Sequence, residues 1–391
     1  MRHCVKTVPL LLVLVSACAS VAVRRDPAAL VLPFPADTMR ARVVTPGVVH
    51  RFIYASSGPW AIHVLDVNRE SCFSAVAVKP GAGASGREKT SEQLASLDKT
   101  AEVIGGVNAD FFLFAPAGVP TNAHISRGRV VTGPNTQPVL AFDSLGAPRI
   151  TTLRANGSLA IGGARFEINN WNRRAVGLAL FDASWGDATD TASSVVEVVM
   201  EGSSPSRVVR VDTTPAGVAI PAGGAVLVAR GGGDTSRARA ALLSLNVADT
   251  LRAAVTLAPF VPREAVGGRP VLVRDSAISA AVDTEGAPGF AAGRHPRTAV
   301  GIAGNGKRLL LVVVDGRQKP YSDGMTLREL ATVMLALGAR DAINLDGGGS
   351  TTLVAADPDS TGALRVLNRP SDPTGERPVG NALAIVRGCA R

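Results

Sequence analysis

Two apolar runs near the C-terminus flank an amphipathic segment. Arg308–Val314 is a continuous run of Leu and Val after its first residue, which is typical of a strand buried on both faces. Residues 326–329 read Thr-Leu-Arg-Glu, the sequence of a capping box, and apolar residues follow at helical spacing up to Gly338. A second strand is predicted over residues 341–345. If the two strands pair in parallel, the pattern predicts a β-α-β unit.

A glycine-rich loop follows the second predicted strand. Asp346 is succeeded by Gly347, Gly348, Gly349 and Ser350, and glycine lets backbone amides approach a ligand closely. Asp-Gly is also the commonest hairpin signal, so a tight turn is the alternative. Parallel strands would end on one edge of the sheet, where ligands of open α/β folds usually bind. That edge would collect Asp315, Arg317 and Asp346.

A shorter version of this pattern occurs earlier in the chain. A short helix is predicted over residues 91–97 and a strand over residues 101–107, and Asn108 and Asp110 follow them. Asn344 and Asp346 repeat the same spacing. Residues two apart in extended backbone share a face, so each pair presents an amide and a carboxylate in one direction. So short a pattern can recur by chance, and internal pseudo-symmetry is a weak hypothesis.

The remaining patterns predict a mixed α/β (α+β) fold. It would have a central mixed sheet, the β-α-β unit and an accessory N-terminal β region. Short strands separated by turns are predicted over residues 150–232, and a helix over residues 234–245. The chain is therefore divided into a signal peptide (1–19), a tether (20–45), the accessory β region (46–90) and a catalytic domain (91–391).

Composition and charge limit the classes of partner. The 391 residues are 46% hydrophobic and 4% aromatic, which indicates a globular chain with a large core. The formal charge is +9, and loss of Arg2 and Lys6 with a signal peptide would leave 39 basic and 32 acidic residues. Such a surface attracts anionic polymers, including phosphate-bearing glycans. The basic residues are mostly scattered arginines without a recognition motif, which argues against nucleic acid.

The N-terminus predicts export. Arg2 and Lys6 precede an apolar stretch over residues 8–15 that is too short to span a bilayer. Residues 15–18 resemble a lipobox, which would make Cys18 a lipidated N-terminus in a bacterial cell envelope. Alternatively, residues 17–19 form an A-x-A cleavage site that releases a periplasmic or secreted protein. Any membrane contact would come through that anchor alone.

The cysteine count agrees with an exported protein. After processing, Cys72 and Cys389 remain as an even pair, and exported proteins commonly contain disulfides. A bridge between them and two buried free thiols are both open.

Eight motifs in order carry a resemblance to a known family. They are Asn108–Phe112 (NADFF), 267–272 (GGRPVL), 297–301 (RTAVG), 315–317 (DGR), 323–327 (DGMTL), 344–350 (NLDGGGS), 368–372 (NRPSD) and 376–379 (ERPV). This series resembles the phosphodiester glycosidase family over roughly residues 90–388. The resemblance implies cleavage of a glycosidic bond at a sugar-1-phosphate, of the N-acetylglucosamine-1-phosphodiester type. Bacterial relatives are linked to exopolysaccharide or envelope sugars.

This chemistry needs carboxylates and cations. Two carboxylates normally flank a glycosidic bond whose cleavage passes through an oxocarbenium-like state, and arginine is suited to clamping phosphate. The candidate catalytic acids are Asp346 and Asp110, followed by Asp315 and Glu376. The candidate substrate-binding residues are Asn108, Arg297, Arg317, Asn344, Gly347, Gly348, Gly349, Ser350 and Arg377. Glu376 and Arg377 could equally form a solvated surface pair, and Asp315 could cap a turn.

Other functions stay open at this point. A phosphodiesterase could break the P–O bond in the same pocket, and a lipoprotein could bind polysaccharide without catalysis. No cofactor is expected. Histidines are few and no Cys-x-x-Cys occurs, which argues against zinc. The acidic turn at Asp357 and Asp359 could attract a structural calcium ion, but it lacks EF-hand spacing.

Overall fold

Strands greatly outnumber helices in the computed structural model, which describes residues 30–189, 195–213, 217–231, 235–286, 289–360 and 362–389. The first thirteen strands are β1 (Thr38–Thr45), β2 (Val48–Ala55), β3 (Trp60–Asn68), β4 (Phe73–Val78), β5 (Val103–Asn108), β6 (His124–Ser126), β7 (Arg129–Thr132), β8 (Pro138–Phe142), β9 (Pro148–Thr152), β10 (Arg154–Ile161), β11 (Ala164–Ile168), β12 (Asn170–Trp171) and β13 (Gly177–Asp182).

The second half of the chain continues in the same way. Its strands are β14 (Val195–Glu201), β15 (Ser206–Asp212), β16 (Ala225–Arg230), β17 (Thr250–Ala258), β18 (Glu264–Gly267), β19 (Val271–Arg274), β20 (Ala277–Ile278), β21 (Arg297–Ala303), β22 (Arg308–Val314), β23 (Ala339–Asn344), β24 (Leu353–Ala356), β25 (Leu364–Val366) and β26 (Ala382–Arg387). The α-helices of the described residues are α1 (Thr90–Asp98), α2 (Thr235–Leu243), α3 (Ala281–Thr284) and α4 (Leu327–Ala336). Short 3-10 turns cover Arg69–Ser71, Gly304–Gly306 and Gly348–Ser350.

The strands form four sheets. The first has the order β1-β2-β3-β22-β21-β23-β19-β20, and the second β11-β10-β17-β15-β14-β16-β13-β12. The third has the order β7-β6-β18-β8-β9, and the fourth β25-β24-β5-β26-β4. Neighbouring strands are antiparallel throughout except for the short parallel pair β12/β13. The mixed α/β prediction is therefore wrong, and the described chain is a mostly antiparallel β protein.

The predicted β-α-β unit shows where the error arose. The strand over Arg308–Val314 and the helix after Thr326 are both present, with the Thr326 hydroxyl accepting from Glu329 N and Glu329 accepting from Thr326 N. β22 and β23 run in the same direction but do not pair, because β21 lies between them and is antiparallel to both. Both strands still end on the same edge of the sheet. A continuous Leu/Val run reports burial on two faces and carries no information about the direction of the neighbouring strand.

The N-terminal strands are integral to the fold. β3 pairs directly with β22, and β4 pairs with β26 at the other end of the chain. The accessory N-terminal β region of the fold-class prediction is corrected in this respect, because its strands belong to the same sheets as strands of the later chain. Antiparallel pairing of distant segments cannot be read from local patterns. The limits assigned to the signal peptide, tether and catalytic domain stay predictions.

One hydrophobic core joins three of the sheets. Leu65 and Leu311 of the first sheet pack with Phe142 of the third and with Val107 and Leu383 of the fourth. The second sheet is formed entirely by residues 154–258. One hydrophobic cluster, which includes Leu242 of α2, lies within these residues, and another joins the sheet to Ala84, Val119 and Val131. Burial of apolar area in these layers is the main stabilising term of the fold.

A disulfide joins Cys72 and Cys389, next to the paired strands β4 and β26, so the predicted bridge is confirmed. The described residues from Leu32 onward form one compact unit. The signal peptide, its Cys18 and residues 20–29 of the tether lie outside the described residues, whereas Thr38–Thr45 form β1. Among the helices described, none has the length and apolar character needed to cross a membrane.

Candidate active site

Two carboxylates come together where β5 and β23 end. Asp346 N donates to Ala109 O at 2.9 Å, and Asn108 Nδ2 donates to Asp346 O at 2.7 Å. The two Asn-x-Asp segments are therefore joined side by side by their backbones, although they lie more than 200 residues apart in sequence. This contact brings together the two leading catalytic candidates.

Asp110 is held in a buried and polar position. Its side chain accepts from Asn122 N at 2.7 Å and from the Thr121 hydroxyl at 3.3 Å, and its own amide donates to Asn381 Oδ1 at 2.8 Å. Burial raises the pKa of the Asp110 carboxyl to about 7, the hydrogen bonds from Asn122 and Thr121 oppose the rise, and the charge of Asp346 adds to it. Asp110 can therefore hold a proton near neutral pH.

Asp346 lies half-buried at the start of the glycine loop. Burial raises the pKa of the Asp346 carboxyl to about 6, and the Ser350 hydroxyl, the Arg377 guanidinium and the Gly347 amide oppose this rise. The lower value means that Asp346 loses its proton before Asp110 does. Two acids with pKa values separated in this way can act as one base or nucleophile and one acid.

A cavity of about 310 Å³ opens beside Asp110. Its wall combines the segment after β5 with the loops before and after β13 of the second sheet. The lining consists of Asp110, Leu113, Val119, Pro120, Thr121, Asn122, Thr132, Asn135, Gln137, Asn172, Arg173, Arg174, Trp185, Gly268 and Arg269. Among the described residues of this wall, Asp110 is the only carboxylate and three are arginines.

The glycine loop lies against two of the predicted arginines. A Cβ at Gly349 would collide with the guanidinium of Arg377, and one at Gly348, whose φ is +61°, would come within 3.2 Å of Arg317 Nη1. Arg377 Nε also donates to Asp372 Oδ2 at 2.8 Å. The absence of side chains in the loop therefore allows cations to lie next to Asp346, where a phosphate could be bound.

Arg297 is placed differently from its predicted role. It is 2% exposed and donates to the carbonyl oxygens of Met325, Phe290 and Gly293. Burial, followed by the charge of Arg317, lowers the pKa of Arg297 to about 10. These contacts join Arg297 to the backbone of Met325 and of residues 290–293. Its predicted role in substrate binding stays a prediction.

The other two candidate acids, Asp315 and Glu376, form hydrogen bonds away from Asp346 and Asp110. Asp315 is fully buried and accepts from Asn368 Nδ2, Arg369 N and the Tyr321 hydroxyl. Glu376 accepts from both the amide and the hydroxyl of Ser91, at 2.7 and 2.6 Å, in the first turn of α1. Their oxygens therefore serve contacts that hold loops and a helix end.

The two predicted asparagines face inward. Asn108 is fully buried, and its Oδ1 accepts from the Thr298 hydroxyl at 2.8 Å and from Thr352 N at 3.1 Å. Asn344 is 1% exposed and donates through Nδ2 to Arg269 O at 2.7 Å. In the described part of the chain, Asn344 Oδ1 has no hydrogen-bond partner. These amides brace the strand ends.

Part of the chain that forms this geometry matches a known family. Residues 194–386 match the model of the phosphodiester glycosidase family. Over these residues the chain is similar to the phosphodiester glycosidases. The resemblance seen in the sequence is thereby confirmed. The match contains Asp346, Arg317 and Arg377, and it begins after Asp110.

Solved structures share the fold. A hypothetical protein from Synechocystis is 23% identical with a TM-score of 0.74, over 90% of this chain and 64% of its own length. A Burkholderia pseudomallei protein is 24% identical with a TM-score of 0.65, over 84% of this chain and 74% of its own.

A third structure is more distant. The zebrafish N-acetylglucosamine-1-phosphodiester alpha-N-acetylglucosaminidase catalytic domain, auto-inhibited by its pro-peptide, is 17% identical with a TM-score of 0.44. The match covers 90% of this chain and 81% of the zebrafish domain. Of the Synechocystis protein, this chain spans less than two thirds.

The search of curated proteins found no match to this chain.

Several residues around Asp110 were not assigned a role from the sequence. Asn122 and Asn381 hold its side chain and amide, and Arg173 and Arg269 line the cavity beside it. Arg269 stood in one of the family motifs, whereas the other three are single polar residues without a local pattern. Within the described ranges, no group of three or more His, Cys, Asp or Glu side chains could hold a metal ion.

Proposed function

We propose that the protein is an exported hydrolase that cleaves a sugar-1-phosphodiester of the N-acetylglucosamine type in envelope or exopolysaccharide glycans. The observation that carries the proposal is the adjacency of Asp110 and Asp346 beside the glycine loop. The match to the phosphodiester glycosidase family over residues 194–386 supports a phosphodiester-linked glycan as the substrate.

The pKa order assigns the two roles. Between about pH 6 and pH 7 Asp346 is ionised while Asp110 still holds its proton. Asp346 is then the base or nucleophile that assists attack at the anomeric carbon, and Asp110 is the acid that protonates the departing oxygen. Because the leaving phosphate is already stabilised as an anion, protonation contributes less than attack does.

Arg377 and Arg317 would bind the phosphodiester. Both lie over the glycine loop, next to Asp346. Their permanent charge stabilises the negative charge that develops on the phosphate as the glycosidic bond breaks. The fixed loop backbone keeps this charge close to the attacked carbon.

The first test compares wild type with Asp346→Asn on an N-acetylglucosamine-1-phosphodiester in ¹⁸O-labelled water. We expect free sugar that carries the label from wild type and almost none from the folded variant. Asp283→Asn, at an exposed ion pair with Arg328, is the matched control. Label in the phosphate would indicate P–O cleavage instead. Retained glycan binding without any turnover would indicate a binding protein.

Export and anchoring rest on the first residues of the sequence. A bacterial host expressing the full chain should place it in the membrane fraction, and Cys18→Ala should release it in soluble form. An A-x-A cleavage site predicts a soluble exported protein with either sequence. Recovery of the intact precursor in the cytoplasm would contradict both forms of the proposal.

A further inference from the structure

The cavity beside Asp110 contains more positive charge than one scissile phosphate requires. The arginines already assigned to that phosphate, Arg317 and Arg377, lie over the glycine loop. Arg173 and Arg269 line the cavity in addition. Asp110, the only acid among the described residues of the wall, is largely neutral below about pH 7. The cavity is therefore an electropositive space separate from the glycine loop.

Arg173 is fixed in this wall by carbonyl oxygens. Its Nη2 donates to Thr121 O at 2.9 Å and its Nη1 to Gly133 O at 3.3 Å. No carboxylate of the described residues lies within 4.0 Å of its guanidinium. Burial lowers the pKa of Arg173, and Asp110 opposes this change. Arg173 is half-buried, and cations withdrawn from water normally have a partner of opposite charge. An anionic ligand in the cavity would supply it.

Arg269 lies in the same wall. Its guanidinium stacks over the Phe111 ring at 5.2 Å, and its Nη1 is 3.5 Å from Glu285 Oε1. This ion pair is long and partly exposed, so it holds the guanidinium weakly. Stacking on an aromatic ring leaves the edge of the guanidinium plane available for bidentate hydrogen bonds.

The three asparagine side chains of the wall already have hydrogen-bond partners within the protein. Asn122 donates to Gln137 O and Pro138 O and accepts from Asn135 N. The side chains of Asn135 and Asn172 likewise donate to and accept from other groups of the protein. These amides cannot easily turn to recognise hydroxyl groups of a neutral sugar. The arginines are the polar groups best able to bind a ligand.

We propose that this cavity binds an anionic group of the substrate other than the scissile phosphodiester. The group is a carboxylate or phosphate that Arg173 and Arg269 bind while the glycine loop holds the scissile phosphate. The proposal rests on the proposed function, and it narrows the substrate to glycans that carry a second negative charge near the cleaved bond. That charge could lie on the sugar, as in a uronate, or on the leaving group, as in a diphosphate.

The experiment uses three ligands that differ by one anionic group. They are the 1-(methyl phosphate) of N-acetylglucosamine, the same ester of N-acetylglucosaminuronate, and the 1-(methyl diphosphate) of N-acetylglucosamine. Calorimetry on the processed protein at low temperature measures their affinities, and product analysis follows separately. Wild type is compared with Arg173→Gln, Arg269→Gln and the control Arg207→Gln, which alters an exposed residue of β15 outside the cavity.

We expect one of the dianionic ligands to bind about tenfold or more tightly than the monoanionic ester. Arg269→Gln and Arg173→Gln should each remove most of this preference, and Arg207→Gln should keep it. Preference for the uronate places the anion on the sugar, and preference for the diphosphate places it on the leaving group. Arg269→Gln keeps the test valid if Arg173→Gln fails to fold.

Equal affinities for the three ligands, or a preference that survives both cavity variants, would overturn the proposal. A preference that depends on Arg269 without any release of sugar would keep the anion site and reject the proposed hydrolase. The two failures are therefore separate results.

Discussion

The strand ends that carry Asp110 and Asp346 share one local pattern in different surroundings. In each, an asparagine lies two residues before the acid and donates its amide to a backbone carbonyl of a neighbouring segment. Asp110 lies in buried polar surroundings, where Asn122 N and the Thr121 hydroxyl donate to its oxygens. Asp346 lies at the start of a loop of three glycines, with the Arg377 guanidinium close by.

The difference explains how one motif can serve two chemical roles. Burial raises the pKa of both carboxyls. The Arg377 guanidinium and the Gly347 amide limit the rise at Asp346, whereas the charge of Asp346 adds to the rise at Asp110. The acid near arginine therefore ionises first, and the acid in the cavity retains its proton. Neighbouring charges, and not the sequence pattern, decide which residue acts as the base.

The largest expected effect separates the two acids directly. Asp346→Asn should lower kcat about 10³-fold, and Asp110→Asn should lower it about 10²-fold, because phosphate departs without much protonation. Initial rates on the N-acetylglucosamine phosphodiester measure both. With a more acidic leaving group, such as an aryl phosphate, the loss in Asp110→Asn should shrink while that in Asp346→Asn stays. An equal loss in both variants on both substrates would reject this division of roles.

Some of this arrangement was predictable from the sequence. The Leu/Val run of β22, the capping box of α4 and the acid at the glycine loop are local patterns, and each lies where it was predicted. The shared edge of β22 and β23 was also expected, although for a wrong reason. Two strands on either side of an antiparallel neighbour point the same way as two parallel neighbours would.

Long-range pairing was beyond such patterns. The insertion of β21 between β22 and β23, and the pairing of β3 with β22, depend on segments that are far apart in sequence. For the same reason the cavity wall was missed, because Arg173 and Trp185 reach Asp110 only through the packing of the second sheet. Asn108 was expected to bind the sugar. In the structure its amide instead bonds to Thr298 and Thr352, which are far away in sequence.

The two asparagines offer a second comparison, in stability. Asn108→Ala should lower the free energy of unfolding by about 3 kcal/mol, because it leaves the buried groups of Asp346 O, Thr298 and Thr352 N without partners. Asn344→Ala should cost about 1 kcal/mol, because it removes one donor to Arg269 O together with an unpaired oxygen. Urea unfolding of both variants measures the difference. A larger loss from Asn344→Ala would mean that its Oδ1 binds a buried group or water.

The cation at the glycine loop should matter for the bound phosphate. Arg377→Gln should reduce kcat/KM about tenfold to a hundredfold, since a charge-assisted hydrogen bond to phosphate is lost. Arg365→Gln is the matched control, because Arg365 also pairs with an aspartate, Asp357, at an exposed position. Steady-state kinetics at a fixed pH measure both. Unchanged kcat/KM in Arg377→Gln would remove Arg377 from phosphate binding.

The smallest effect concerns the shape of the pH profile. With Asp346 ionised and Asp110 protonated in the active form, kcat/KM should rise through about pH 6, fall through about pH 7 and peak between them. Because the Arg377 charge lowers the pKa of Asp346, Arg377→Gln should move the rising limb to higher pH by less than about one unit. Asp110→Asn should abolish the falling limb, since it removes the proton whose loss inactivates the enzyme.

Profiles of kcat/KM from pH 4 to pH 9 would measure these effects in wild type, Arg377→Gln and Asp110→Asn. The control Arg365→Gln should keep the wild-type shape. A rising limb that moves to lower pH in Arg377→Gln would show that Asp346 is not the group that must ionise.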